Sequence, residues 1–174
     1  MKRLIVNGKD AVVIADRVIS QYQTREPERL AEEMGIIVMP QPFVRQKGAY
    51  KVIKRSRFIF IKQDLSPVMK DIVLLHEIGH DVLHRREAVR AGGFQEFNIF
   101  DMSSQRMEYE ANIFAAQVSL PDEEILEYIF QGYDVGQIAR AKESDINLVA
   151  LKVAELSHRG YSFRTQEFRS DFLK

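Results

Sequence analysis

A five-residue stretch, His76-Glu77-Ile78-Gly79-His80, constrains the fold of this chain more than any other feature of the sequence. In a helix, residues four apart lie on one face, so the two histidines can point at the same metal ion. A hydrolytic Zn²⁺ site uses three protein ligands and leaves a fourth position for water. The pattern therefore predicts a helix that supplies two metal ligands, His76 and His80.

Glu77 lies beside the two histidines and is expected to act as a base rather than as a ligand. A bound zinc ion lowers the pKa of its water from about 15.7 towards about 7, so a nearby carboxylate can take the proton. The chain contains only 4 histidines, and the chance of this pattern arising by accident is on the order of half a percent. We therefore interpret it as a metal site.

The sequence before the motif predicts where its helix begins. Ser66 is a favourable N-cap, and Pro67 is tolerated in a first helical turn. The side of the helix that we expect to face the core carries Val68, Ile72, Leu75, Gly79 and Val82. The two histidines and Glu77 would then lie on another side and face a cleft.

A third ligand is expected from residues 107–116, an apolar-periodic helix that carries two carboxylates. Glu108 and Glu110 project about 200° apart on a helix, so at most one of them can face the metal. The apolar periodicity of this helix barely distinguishes the two glutamates as the one that faces the metal. Asn112 lies four residues after Glu108 on the same face, where it could hydrogen-bond the outer nitrogen of a zinc-bound histidine. We therefore predict Glu108 as the ligand and Asn112 as that partner.

His84 follows His80 by four residues and has two interpretations. It could be a fourth ligand or could stabilise the oxyanion of a tetrahedral intermediate. Alternatively, it lies at the surface or behind a ligand, at the end of the helix where cations suit the dipole. We favour the second interpretation.

Two segments together resemble the ImmA/IrrE family of bacterial and phage metallopeptidases. They are HEIGHDVLH at 76–84 and MEYEANIFAAQVSLP at 107–121, and the second matches the family pattern at Glu108, Ala111, Asn112, Phe114, Ala115 and Pro121. The resemblance extends roughly over residues 25–160. It implies that His76, His80 and Glu108 hold one Zn²⁺ per chain and that Glu77 is the catalytic base, as in gluzincin-type peptidases.

The resemblance also implies a substrate class. Members of this family typically cut a cognate helix-turn-helix repressor at one site, which favours a single protein partner encoded nearby. The residues alone predict only metal-dependent hydrolysis. Three alternatives stay open: a DNA-binding or regulatory protein that keeps the zinc fold without turnover, an antitoxin-like binding protein, and a zinc hydrolase of a non-peptide substrate. Manganese or iron could also occupy a site of two histidines and a glutamate.

Composition narrows the class of protein. The 174 residues suit one domain, their formal net charge is +0, and the sequence contains no cysteine. This composition excludes disulfide and zinc–thiolate frameworks and gives no global attraction to nucleic acid or membrane. Residues 1–10 lack the apolar run of a signal peptide, and no stretch reaches 18 apolar residues. We expect a cytoplasmic protein.

The rest of the pattern predicts an α+β, zincin-like fold in which a small antiparallel or mixed sheet packs on the helix that carries the motif. We expect one domain over residues 1–174, with a zincin-like core at about 10–120 and a helical part at 121–174. Expected helices are 10–23, 24–34, 123–131, 135–141 and 146–159; expected strands are 36–39, 50–53 and 58–61. A solvated basic turn is expected at 54–57, a long loop with an aromatic cluster at 85–106, and a terminal strand or mobile segment at 161–174. The second hairpin strand, which precedes the motif helix, is expected to lie along the cleft and pair with an extended substrate. The sequence leaves open which of the two hairpin strands forms the free edge.

The last two helices have the spacing of a helix-turn-helix. A DNA-reading helix usually exposes basic and amide residues, whereas this one offers Asn147, Lys152, Glu155, His158 and Arg159 around an apolar majority. We therefore favour packing or substrate docking over DNA binding.

Overall fold

The computed structural model describes residues 8–91 and 102–163, and among them it shows the expected α+β architecture. Three strands form one sheet, and seven helices surround it. The elements are α1 Gly8–Tyr22, α2 Pro27–Glu33, β1 Ile37–Gln41, β2 Gly48–Ile53, β3 Ser56–Lys62, α3 Pro67–Arg90, α4 Met102–Ser119, α5 Asp122–Phe130, α6 Val135–Ala141 and α7 Ile146–His158. Within these residues no helix is both long and apolar enough to cross a membrane. The single-domain boundaries stay a prediction.

The sheet is mixed and has the order β1-β3-β2. Strand β1 runs parallel to β3, and β2 runs antiparallel to it. We expected β1 to end before Pro40, but it continues to Gln41, with Pro40 opposite Ile61. Proline is tolerated here because β1 is an edge strand, where a missing N–H need not break the ladder.

The hairpin between β2 and β3 turns more tightly than expected. Only Lys54 and Arg55 form the turn, and both have positive φ, 47° and 70°. Two such residues match the right-handed twist of the flanking strands. Arg57 therefore belongs to β3, where it bonds Asp81 at 2.9 Å and the carbonyl of Met34. The expectation that it lies in a solvated turn is wrong.

Helix α3 begins as expected, with Ser66 Oγ accepting a hydrogen bond from the N–H of Met69 at 3.3 Å. It does not end near His84 but continues to Arg90, with non-helical angles at His84 (φ −129°, ψ 17°). The i, i+4 ion pair between Asp81 and Arg85, 2.7 Å long, spans the expected end. The long loop predicted for 85–106 is therefore wrong for 85–90 and 102–106, which are helical. Its aromatic cluster, like most of the 161–174 tail, lies outside the described residues.

Helices α3 and α4 cross closely at two small residues. A Cβ on Gly79 would lie 3.2 Å from the Cα of Ala111, a tighter approach than a larger side chain tolerates. Leu75 and Gly79 are buried as expected, together with Leu74 and Ile78, whereas Val68, which we also expected in the core, is 37% exposed. The buried face of α3 is wider than expected because both the sheet and α4 cover this helix.

The C-terminal helices carry the expected caps. The side chains of Asp134 and Asp145 accept backbone hydrogen bonds at the starts of α6 and α7. Lys152 and Glu155 were expected on an exposed face of α7, but they are 1% and 5% exposed. They are buried because α7 packs against α4, which is the packing role that we favoured over DNA binding.

Candidate metal centre

Helices α3 and α4 bring His76, His80 and Glu108 together. The Nε2 atoms of the two histidines are 3.1 Å apart. Glu108 Oε2 lies 3.0 Å from His76 Nε2, and Oε1 lies 3.2 Å from His80 Nε2. The three residues each offer one ligand atom within 4.8 Å of the others. We call this set the triad.

The Nδ1 atom of each histidine already has a hydrogen-bonding partner, which leaves the Nε2 atom to face the triad. Asn112 Oδ1 is 2.8 Å from His76 Nδ1, and His84 Nδ1 is 3.1 Å from His80 Nδ1. An amide oxygen only accepts, so His76 Nδ1 carries the proton and its Nε2 presents a lone pair. Within the described residues, the buried Oε1 of Glu108 accepts no hydrogen bond. Lone pairs that converge on one point from imidazole and carboxylate fit a divalent cation such as Zn²⁺.

Burial and proximity set the charges of the triad. Burial lowers the pKa of His80 to about 4, which favours the neutral imidazole that ligates metals. Burial alone would raise the pKa of Glu108, but the two imidazole rings next to it outweigh burial and lower that pKa to about 2. Burial also opposes charge on His76, yet Glu108 and Glu77 raise its pKa overall. A cation in the triad would compete with that proton.

Glu77 lies next to the triad, against strand β2. It is 6% exposed, and a Cβ on Gly48 would come within 2.6 Å of its Oε1 and 2.7 Å of Val73 Cγ1. Burial raises the pKa of Glu77 to about 7; Glu108 adds to the increase and His76 opposes it. A carboxyl group with a pKa near the working pH is suited to both accepting and donating a proton.

The comparison with known protein families decides the family. Residues 31–163 match the model of a peptidase family that is described as the IrrE N-terminal-like domain. The chain belongs to this family. The resemblance inferred from the two motifs is therefore confirmed, and an IrrE-like domain is expected to have the fold of a zinc metallopeptidase.

A curated relative and a solved structure add to this assignment. The chain is 32% identical over 137 residues to "Uncharacterized immunity region protein 2" of Bacillus phage phi105, which covers 78% of this chain and 84% of the phage protein. A solved structure of a Mycobacterium tuberculosis transcriptional regulator superposes with a TM-score of 0.59 at 17% identity. It covers 83% of this chain, which spans only 47% of that protein, so this likeness concerns the fold alone.

His84 of this IrrE-like domain lies behind the triad rather than in it. We favoured a position at the surface or behind a ligand, and the side chain is 4% exposed with its ring against His80. The expected helix end and its dipole are not the reason for this position, because α3 continues beyond it. Glu110, the rejected candidate ligand, bonds His84 Nε2 at 3.0 Å. We did not predict this pair from the sequence, although the i, i+4 spacing of His80 and His84 predicts that their rings lie close together.

A second feature that the sequence did not reveal fixes α3 against the hairpin. Asp81, adjacent to His80, is 1% exposed and accepts hydrogen bonds from Tyr50 Oη at 2.6 Å, Arg57 at 2.9 Å and Arg85 at 2.7 Å. Burial and the bond to Asp81 raise the pKa of Tyr50, so its hydroxyl stays a donor. These bonds tie β2 and β3 to the helical turn that carries His80.

Proposed function

We propose that this IrrE-like domain is a zinc-dependent endopeptidase of the cytoplasm that cuts a specific protein substrate. In this proposal His76, His80 and Glu108 hold one Zn²⁺, and Glu77 is the general base. The supporting observation is the convergence of two imidazole Nε2 atoms and the half-buried carboxylate of Glu108 within 4.8 Å, with Glu77 beside them. Nothing in a purely structural cluster requires three such ligand atoms to meet.

The chain's own residues account for the proton transfers of hydrolysis. Zn²⁺ held by the triad would polarise the scissile carbonyl and acidify a water molecule. Glu77 accepts the proton of that water as it attacks, and then donates it to the leaving nitrogen. Its pKa of about 7 favours both steps, although a cation nearby would lower that value. Asn112 holds His76 in the tautomer that ligates through Nε2.

Strand β2, rather than β3, is the edge that can hold an extended substrate. We expected the strand before the motif helix to lie along the cleft, and the sequence left open which hairpin strand forms the free edge. Strand β3 is central and is hydrogen-bonded to β1 and β2, so the free edge of the hairpin is β2. Gly48 of β2 lies against Glu77, so a peptide added at the outer edge of β2 would pass close to the general base.

The hydrogen-bond register shows which backbone groups face that edge. Lys62 N–H donates to Lys47 O at 2.9 Å. Hydrogen-bonded pairs alternate along an antiparallel ladder, so the backbone N–H and C=O of Gly48 point away from β3. The oxygen of Gly48 accepts from Gln46 Nε2 at 2.8 Å, as an outward carbonyl can. Substrate pairing at Gly48 would place main-chain groups beside the carboxylate of Glu77.

A repressor is the substrate that the available comparisons favour. The phage relative is named for an immunity region, which is a regulatory context. The two motifs also resemble the ImmA/IrrE family, whose typical substrates are helix-turn-helix repressors. We therefore propose that the partner is a helix-turn-helix repressor encoded near this gene, and that cleavage relieves repression.

Cleavage by matched variants tests the proposal. Wild type and Glu77→Gln are purified, their zinc is quantified, and each is incubated with the neighbouring helix-turn-helix protein. We expect about one zinc in each and a single cut, located by mass spectrometry, only with wild type. A stable complex without a cut would favour the non-catalytic binding protein. Cleavage by Glu77→Gln at the wild-type rate would contradict the role of Glu77.

A further inference from the structure

A buried chain of hydrogen-bonding groups runs away from the triad behind His80. His80 Nδ1 contacts His84 Nδ1 at 3.1 Å, and His84 Nε2 contacts Glu110 Oε2 at 3.0 Å. Glu110 Oε1 in turn accepts from Arg106 Nε at 2.8 Å. Glu110 and His84 are 3% and 4% exposed, so water does not compete for these contacts.

The positions of the protons follow from the two ends of this chain. A carboxylate only accepts, so His84 Nε2 donates to Glu110. A neutral imidazole has one N–H, which leaves His84 Nδ1 as an acceptor. His80 Nδ1 must then donate to it, and His80 Nε2 keeps its lone pair for the triad. Asn112 performs the same task for His76 with an amide oxygen.

We propose that Glu110, acting through His84, is a positioning residue that fixes the tautomer and ring orientation of His80 for metal binding. This inference rests on the proposed function in one respect, that the triad binds Zn²⁺. Hydrogen-bond partners behind a ligand histidine typically change metal affinity by about 10- to 100-fold. Different groups therefore bond the Nδ1 atoms of the two ligand histidines: the amide of Asn112 for His76, and the His84–Glu110 pair for His80.

The geometry separates this role from direct ligation. His84 faces the Nδ1 side of His80, whereas the triad lies on the Nε2 side. The backbone of α3 departs from helical angles at His84, where the ring spans the gap between His80 and α4. Glu110 lies two residues after Glu108 on another face of α4, so one helix supplies both a ligand and a support.

The test compares His84→Leu, His84→Asn and Glu110→Leu with wild type and with His158→Leu as a matched control. His158 is the exposed histidine at the end of α7, 70% exposed in its side chain. Leucine at position 84 removes the acceptor for His80. The Oδ1 of asparagine lies near the place of histidine Nδ1, so it can accept from His80 although it does not reach Glu110. Leucine at position 110 removes the acceptor for the Nε2–H of His84.

The readouts are zinc affinity by chelator competition, the visible spectrum of the Co²⁺-substituted protein and the unfolding of the metal-free protein in urea. We expect about 10- to 100-fold weaker zinc binding for His84→Leu and Glu110→Leu, with an altered Co²⁺ spectrum. His84→Asn should recover most of the affinity, and His158→Leu should match wild type.

Two results would overturn the inference. One is wild-type zinc affinity in His84→Leu or Glu110→Leu. The other is an equal loss in the leucine and asparagine variants at position 84 that follows the loss of metal-free stability, because packing would then explain it. If one leucine variant does not fold, the other leucine variant and His84→Asn still decide. Failure of wild type to bind zinc would instead contradict the proposed function.

Discussion

At the scale of single residues, Gly48 has no side chain, and this lets the carboxylate of Glu77 lie against strand β2. The Cα of Gly48 lies so close to Glu77 that an added Cβ would come within 2.6 Å of the carboxylate and 2.7 Å of Val73. Interiors are packed too tightly to absorb such a clash without movement. Either the carboxylate or strand β2 would have to shift, and both border the proposed path of the substrate.

Gly48→Ala is therefore expected to slow cleavage without removing the metal. Displacing a general base typically costs a factor of about 100 or more in rate, whereas the triad does not contact Gly48 and should keep its zinc. Zinc content and the rate of repressor cleavage measure the two effects. Gly136→Ala in α6 is the control, because the nearest atom to its added Cβ is 3.3 Å away. Equal rates for both alanine variants would contradict the close contact.

The choice between Glu108 and Glu110 as the third ligand shows which contacts can be predicted from the sequence alone. Asn112 broke the tie because it shares a helical face with Glu108, and its side chain does bond His76. That inference needed only helix geometry. The pairing of Glu110 with His84 depends on how α3 crosses α4, which no local pattern encodes.

At the scale of elements, the helix starts that carry a side-chain cap were predictable, but the end of α3 and the start of α4 were not. The caps at Ser66, Asp134 and Asp145 are local side-chain-to-backbone bonds and appear where expected. The end of α3 depends on longer-range contacts, among them the bonds between Asp81 and the hairpin. The burial of Lys152 likewise reflects the packing of α7 on α4 and its bonds to Gln117 and Asp122.

Asp122 joins two of these elements, since it is the first residue of α5 and pairs with Lys152 and with Arg159 at 2.8 Å. Burial alone would raise its pKa, but the hydrogen bonds from Arg159 and Lys152 outweigh it and lower the pKa to about 2. A pKa lowered in the folded state stabilises the fold above the unfolded pKa, near 3.8. This contribution is lost as the pH falls towards 2.

Asp122→Asn should consequently lower the free energy of unfolding at pH 7 by about 2 kcal/mol. The difference from wild type should shrink as the pH falls below 4, because wild type then loses the same charge. Urea unfolding at pH 7, 4 and 3 measures this dependence. Glu123→Gln, at the exposed neighbouring position, should change stability little at any of these pH values. A constant difference for Asp122→Asn across the range would contradict the ion-pair explanation.

At the scale of the whole molecule, the sequence predicted the α+β class and the family but not how the sheet meets the helices. Motif spacing is set by metal chemistry, so it is visible in a single chain. The order β1-β3-β2, which makes β2 the edge beside Glu77, arises from pairing between distant segments. For the same reason the sequence left open which hairpin strand forms the free edge.

A zinc-edge anomalous difference map from crystals of the zinc-loaded protein would locate the metal directly. We expect one peak per chain, about 2.0–2.2 Å from His76 Nε2, His80 Nε2 and a carboxylate oxygen of Glu108. His84 and Glu110 should lie outside the coordination sphere. A peak ligated by His84 or Glu110, or no peak at the triad, would contradict the metal centre on which the proposed function rests.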